Sequence, residues 1–146
     1  MGCSMLKDRL ERIIEIKEKF MNNKEREIDE ENGKLDSVIR SIETVDADIE
    51  NSYERMTGTL MKGNDFSVIT DYLEYLENMK CSLIGERGSV QEKIEILKEE
   101  LIDLMKEMKM LGTLREKILA NLKKSFNRRE QKLLDDIALR IEEKRM

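Results

Sequence analysis

The sequence contains no histidine, no proline and no tryptophan, and of its 146 residues only two are cysteine and 4% are aromatic. Without histidine, acid–base catalysis near neutral pH and imidazole metal sites both lose their usual donor. Cys3 and Cys81 lie far apart in the chain, which argues against a disulfide framework and for two free thiols in a reducing compartment. So few aromatic residues make a large globular core a poor expectation. Without proline, nothing forces a helix to stop. No apolar run approaches the ~20 residues of a bilayer span and no signal-peptide core is visible, so the expected location is the cytoplasm. The opening Met1-Gly2-Cys3-Ser4-Met5-Leu6 offers two acylatable residues but has Leu6 where the acylation pattern wants Ser or Thr, and lipidation is not expected.

What the chain does have is charge. Asp, Glu, Lys and Arg make up 40% of the residues, with 27 basic and 32 acidic side chains mixed to a net charge of -5. Mixed charge on Glu, Lys, Leu, Met and Arg describes solvated helix faces. The densest basic cluster is Lys123, Lys124, Arg128, Arg129 and Lys132. It holds one aromatic residue, Phe126, and is followed by Asp135, Asp136, Glu142 and Glu143, so a solvated face or a docking site for an acidic protein fits better than nucleic acid. No glycine-rich loop stands ready for phosphate, and carboxylates occur everywhere without a proton-transfer partner. The reading is therefore not an enzyme, with no metal, no cofactor and no small-molecule substrate.

The organising pattern is a seven-residue repeat. From Ile69 it runs through Leu76, Leu83, Val90, Leu97, Leu104 and Leu111 to Ile118 without a break, with Leu73, Ile94, Leu101 and Met108 in a companion row. An earlier repeat carries Ile14, Met21, Ile28, Leu35, Ile42, Ile49 and Met56; its companion row is apolar at Leu10, Val38 and Val45 but polar at Lys17, Lys24 and Glu31. Strict heptads keep an apolar stripe facing a partner helix. Leu6, Ile13 and Phe20 add a second strip near the amino terminus, which widens that face.

Between Thr57 and Ser67 the repeat fails, and Gly58, Gly63, Asn64 and Asp65 cluster there as turn-forming residues. The expected fold is all-α, a long two-helix antiparallel coiled-coil hairpin in one domain, with helices over about 5–56 and 68–144 and a loop over 57–67. A short connection makes the helices antiparallel neighbours. A turn near residues 62 and 63 then sets Ile14 against Leu111, Met21 against Leu104, Ile28 against Leu97, Leu35 against Val90, Ile42 against Leu83 and Ile49 against Leu76. A register one heptad away, with Glu31 against Arg87, competes. Gly33, Gly85 and Gly88 lie off the seam and are expected to bend or fray the helices. Met5 falls opposite about Ala120, so the second helix overhangs the first by some 25 residues. Its heptad phase changes there, to Leu119, Leu122, Phe126, Leu133, Ile137 and Ile141. Such a face has no partner left within the chain.

Three stretches carry the family resemblance. Arg128-Arg-Glu-Gln-Lys-Leu-Leu-Asp-Asp-Ile-Ala138 resembles the carboxy-terminal signature of FliJ, the coiled-coil protein of the bacterial flagellar type III export apparatus. Tyr72-Leu-Glu-Tyr-Leu-Glu77 is similar to the aromatic stretch that follows the hairpin in that family, and Leu6 to Glu18 is similar to its opening. The resemblance implies a stalk whose termini-bearing end inserts into the hexameric export ATPase and promotes ring assembly. It also implies contact with the export gate protein FlhA and with export chaperones, at the cytoplasmic side of the inner membrane. By position, Tyr72, Leu76, Met79 and Leu83 match the gate-binding face. Arg128, Arg129, Glu130, Gln131, Leu133, Asp135 and Ile137 match the run inserted in the ring, and Phe126 joins them as an apolar anchor. Burial of Leu76 and Leu83 in the seam shifts the gate assignment onto Tyr72 and Met79. The equivalent stalk of a virulence secretion system, and a structural coiled coil that dimerises through the overhang, remain as alternatives.

Overall fold

In a computed structural model, which describes residues 2–58 and 63–145, the chain forms two helices, α1 (Gly2–Gly58) and α2 (Gly63–Arg145). They pack against each other antiparallel as a helical hairpin, and there is no strand among the described residues. Asp65 in the first turn of α2 and Lys144 and Arg145 in its last suit the helix dipole, as does Arg55 in the last turn of α1. The connection is shorter than the glycine cluster suggested. Thr57, Gly58 and residues 63–67 are helical, while residues 59–62 lie outside the described residues, as do Met1 and Met146. α1 and α2 run through Gly33, Gly85, Gly88 and Gly112 without interruption.

The chain divides into two compact units, residues 23–101 and residues 1–22 with 102–146. In the first, Ile28, Val38, Ile42 and Val45 of α1 are buried with Leu73, Leu76, Ile94 and Leu97 of α2. All belong to the heptad rows, and burying each such side chain is worth about 1.5–3 kcal/mol. No described side chain is completely sealed from solvent, because two helices cover only one side of each other. Two polar residues, Glu31 and Ser52, are buried in the same seam.

Glu31 fixes the register. Its Oε1 accepts hydrogen bonds from Lys34 and from Lys93 across the seam, each at 3.0 Å. Lys24 pairs with Glu100, and Lys80 with Asp46 at 2.5 Å. These partners agree with Ile28 facing Leu97 and exclude Glu31 facing Arg87. Moving the helices by one heptad toward that competitor would bring Lys24 to Lys93 and Glu31 to Glu86, both repulsive. The polar interruptions of the α1 companion row therefore specify alignment.

In the second unit Leu10 and Ile14 are buried, and Met21, Leu104, Met108, Leu111, Ile118 and Leu122 are half-buried. Lys17 bonds Glu107 at 2.7 Å. From Lys123 to Arg145 every described residue is exposed. The overhang expected after about Ala120 is thus present, and it remains helical.

Candidate protein-binding surfaces

The carboxy-terminal surface is a stretch of α2 whose pairing helix has ended. Phe126, Leu133, Ile137 and Ile141 recur at seven-, four- and four-residue steps, which places them along one side of the helix. Phe126 and Leu133 are 67% and 63% exposed. Leu134 and Leu139 flank the stripe and are also exposed. Arg128, Arg129, Glu130 and Asp135 are exposed on the same turns, and Gln131 Nε2 donates to Asp135 Oδ1 at 3.2 Å. All eight residues singled out from the sequence on this segment therefore lie together on exposed helix. An exposed apolar stripe rimmed by charge is suited to docking against another protein.

The second surface lies at the start of α2, in the unit of residues 23–101. Tyr72 and Met79 are 46% and 39% exposed, whereas Leu76 is 3% exposed and Leu83 is half-buried. Leu76 belongs to the core, so it holds the face up from beneath and offers no surface of its own. Met79 and Leu83 line one side of a groove of about 490 Å³, with Ser41, Thr44, Val45 and Asp48 of α1 on the other. Tyr72 stacks on Tyr75 with ring centroids 6.4 Å apart. Tyr53 Oη donates to Glu77 Oε1 at 3.5 Å, a further tie between α1 and α2 on the other flank of the seam. The α1 contributions were not legible in the sequence, since Ser41, Thr44 and Asp48 carry no motif. Only the register, which sets the end of α1 beside the start of α2, reveals them.

A third feature, in the other unit, is a groove of about 460 Å³ lined by Glu18, Met21, Asn22, Met105 and Met108. Thioether walls repack readily around different occupants. The strip of Leu6, Ile13 and Phe20 is exposed on α1.

Electrostatics at the seam are local. Hydrogen bonds from Lys34 and Lys93 hold the Glu31 carboxyl below the ordinary carboxylate value. The bond to Glu100 raises Lys24 above the ordinary lysine value, against a smaller opposing effect of burial. Both shifts favour the charged forms that set the register, and neither points to chemistry. Among the described residues no group of acidic or cysteine side chains is arranged to hold a metal ion, and no helix is long and apolar enough to cross a membrane.

No curated protein and no solved structure matches the chain. The family described as Flagellar FliJ protein matches residues 6–146, which takes in both helices, the buried seam and both candidate surfaces. The chain belongs to the FliJ family, the coiled-coil proteins associated with flagellar export.

Proposed function

We propose that the chain is a non-enzymatic stalk of the flagellar export apparatus. Its overhanging end inserts into the hexameric export ATPase and promotes ring assembly. The start of α2 reaches the export gate protein FlhA, and export chaperones are handled along the same path. The protein works at the cytoplasmic face of the inner membrane and meets the membrane only through the apparatus.

The observation that carries this reading is the helical segment from Lys123 to Arg145, exposed throughout and striped with Phe126, Leu133 and Ile137. A helix that keeps its apolar face after its intramolecular partner stops is prepared for an external one. Arg128, Arg129, Glu130, Gln131 and Asp135 supply hydrogen-bonding and ionic contacts around the stripe. The two rings Tyr72 and Tyr75 with Met79 supply a separate face for the gate.

The test is to mix the purified chain with its cognate export ATPase and to measure ring formation and ATP hydrolysis. Both are expected to rise, and the rise is expected to be lost with Leu133→Glu and Phe126→Glu, which leave the paired seam intact. No change in either at saturating protein would refute the stalk reading.

A further inference from the structure

The opening of α1 is divided lengthwise. Asp8, Glu11, Glu15 and Glu18 recur at three- and four-residue steps, which sets them in one acidic row. Leu6, Arg9, Ile13, Ile16 and Phe20 recur at the same steps along a different side. This second row borders Lys17, which bonds Glu107 across the helices and so marks the flank of the seam on which the row lies. On α2, Met110 and Leu114 stand about one and two turns beyond Glu107 on that same flank. Because the helices are antiparallel, Leu114, one heptad past Glu107, comes level with Leu10 and so with the flank between Leu6 and Ile13. The four apolar side chains of the α1 row and these two of α2 are between 45% and 72% exposed, and all six belong to the unit of residues 1–22 with 102–146.

The charge on this flank is one-sided. Arg9 lies within the strip, Lys117 and Lys124 continue it along α2, and Arg12, Lys19 and Lys106 line its outer edges, all exposed. Against these six cations the flank carries two acids, Asp103 and Glu107, and Glu107 is neutralised by Lys17. Among the described residues none of the six cations makes an ion pair within the chain. Two packed helices leave a trough along each flank, and apolar side chains on both walls make it a seat for a third helix, which buries both rows at once. A flat bilayer would touch only the crests, and a second copy laid flank to flank would bring cation against cation. From Leu6 to Phe20 the strip is about 21 Å long, room for about four helical turns. We propose that this basic, apolar flank is a docking site for an amphipathic helix of another protein, one whose apolar stripe is edged by Asp and Glu. The site shares no apolar residue with the overhang or with the start of α2, so it goes beyond the stalk reading, and its failure leaves that reading in place.

The probe is a dye-labelled designed helical peptide of about four turns, whose leucine stripe is edged by glutamate. A companion peptide carries lysine in place of each glutamate. Titrated with the full chain and followed by fluorescence anisotropy, the glutamate peptide is expected to bind at least about tenfold more tightly than the lysine peptide, and to weaken about tenfold between about 0.05 and about 0.3 M salt. Ile13→Glu with Phe20→Glu, and separately Arg9→Glu with Lys117→Glu, leave the buried seam intact and are expected to weaken it by about tenfold or more at unchanged helicity. Leu133→Glu on the overhang and Tyr75→Ala at the start of α2 are expected to leave it unchanged. Equal binding of the two peptides, or a glutamate peptide indifferent to the flank variants, overturns the proposal. Loss of binding in Leu133→Glu moves the site to the overhang and also overturns it. Displacement of the peptide by phosphatidylglycerol vesicles assigns the strip to a lipid surface, and a dimer of the chain that dissociates in Ile13→Glu with Phe20→Glu assigns it to a second copy; either overturns the proposal. So does stimulation of the cognate export ATPase that is lost in the flank variants while the peptide fails to bind, which assigns the strip to the ring.

Discussion

Replacing Leu76 by alanine separates the two roles that the start of α2 combines. Leu76 is 3% exposed and sits one heptad from the half-buried Ile69 and Leu83. Truncating a buried leucine costs the lost transfer energy plus that of the remaining cavity, typically 2–5 kcal/mol. Here the seam is only two helices wide, so neighbours and water fill part of the gap, and the expected cost is about 2–3 kcal/mol. For a chain of this size about 3–4 °C of melting temperature corresponds to each kcal/mol, so the midpoint falls by about 6–12 °C. Tyr72→Ala, on a ring that is 46% exposed, is expected to stay within about 0.5 kcal/mol of the parent. Thermal melts followed by far-ultraviolet circular dichroism decide the matter. A Leu76→Ala protein melting within about 2 °C of the parent, or a Tyr72→Ala protein melting as low as Leu76→Ala, would refute the assignment of one side chain to the core and the other to the surface. Gate binding measured on the same pair should fall with Tyr72→Ala at unchanged stability.

Three further outcomes follow from the seam. Glu31→Lys places a third cation beside Lys34 and Lys93 and should lower the melting temperature more than Glu11→Lys on an exposed position; adding Lys93→Glu should restore part of the loss, and a double variant no better than the single would refute the pairing. Because the folded-state value of Glu31 is depressed, its contribution is complete above the ordinary carboxylate value of 4.5 and is lost as pH falls through the lower folded value; Glu31→Gln should flatten the acid side of a melting-temperature profile, and an unchanged acid side would count against the assignment. Gly33→Ala, Gly85→Ala and Gly88→Ala should each stabilise by roughly 0.5–1 kcal/mol, because the helix runs through these positions and an added Cβ meets nothing within 4 Å, and chemical denaturation would show it as a raised midpoint.

The hairpin was legible because heptads are a one-dimensional record of a two-helix interface. Ile28, Ile42, Leu76 and Leu97 are buried where the spacing put them. The overhang was legible for the same reason, since the apolar phase shifts where α1 ends. The connection was less so: glycine and asparagine mark a turn without saying how tight it is, and helix persists through Gly58 and from Gly63 onward. The ionic register was hidden for a different reason. Lys17, Lys24 and Glu31 looked like defects in a hydrophobic row, and only their cross-helix partners Glu107, Glu100 and Lys93 show that the defects are matched. Binding faces were half visible. Exposed rings such as Tyr72 follow from the repeat, but the α1 residues beside Met79 depend on how the helices align.

One helix here has two lifetimes. From Gly63 to about Leu122 the backbone of α2 is shielded by packing against α1, and its amides open only when that packing is breached. Beyond Lys123 the same helix has only its own hydrogen bonds to protect it, so deuterium should enter there fast and fade in rate toward the paired body. Whatever clasps that end will therefore announce itself as a slowing of exchange confined to the last two dozen residues, readable before the captor is known.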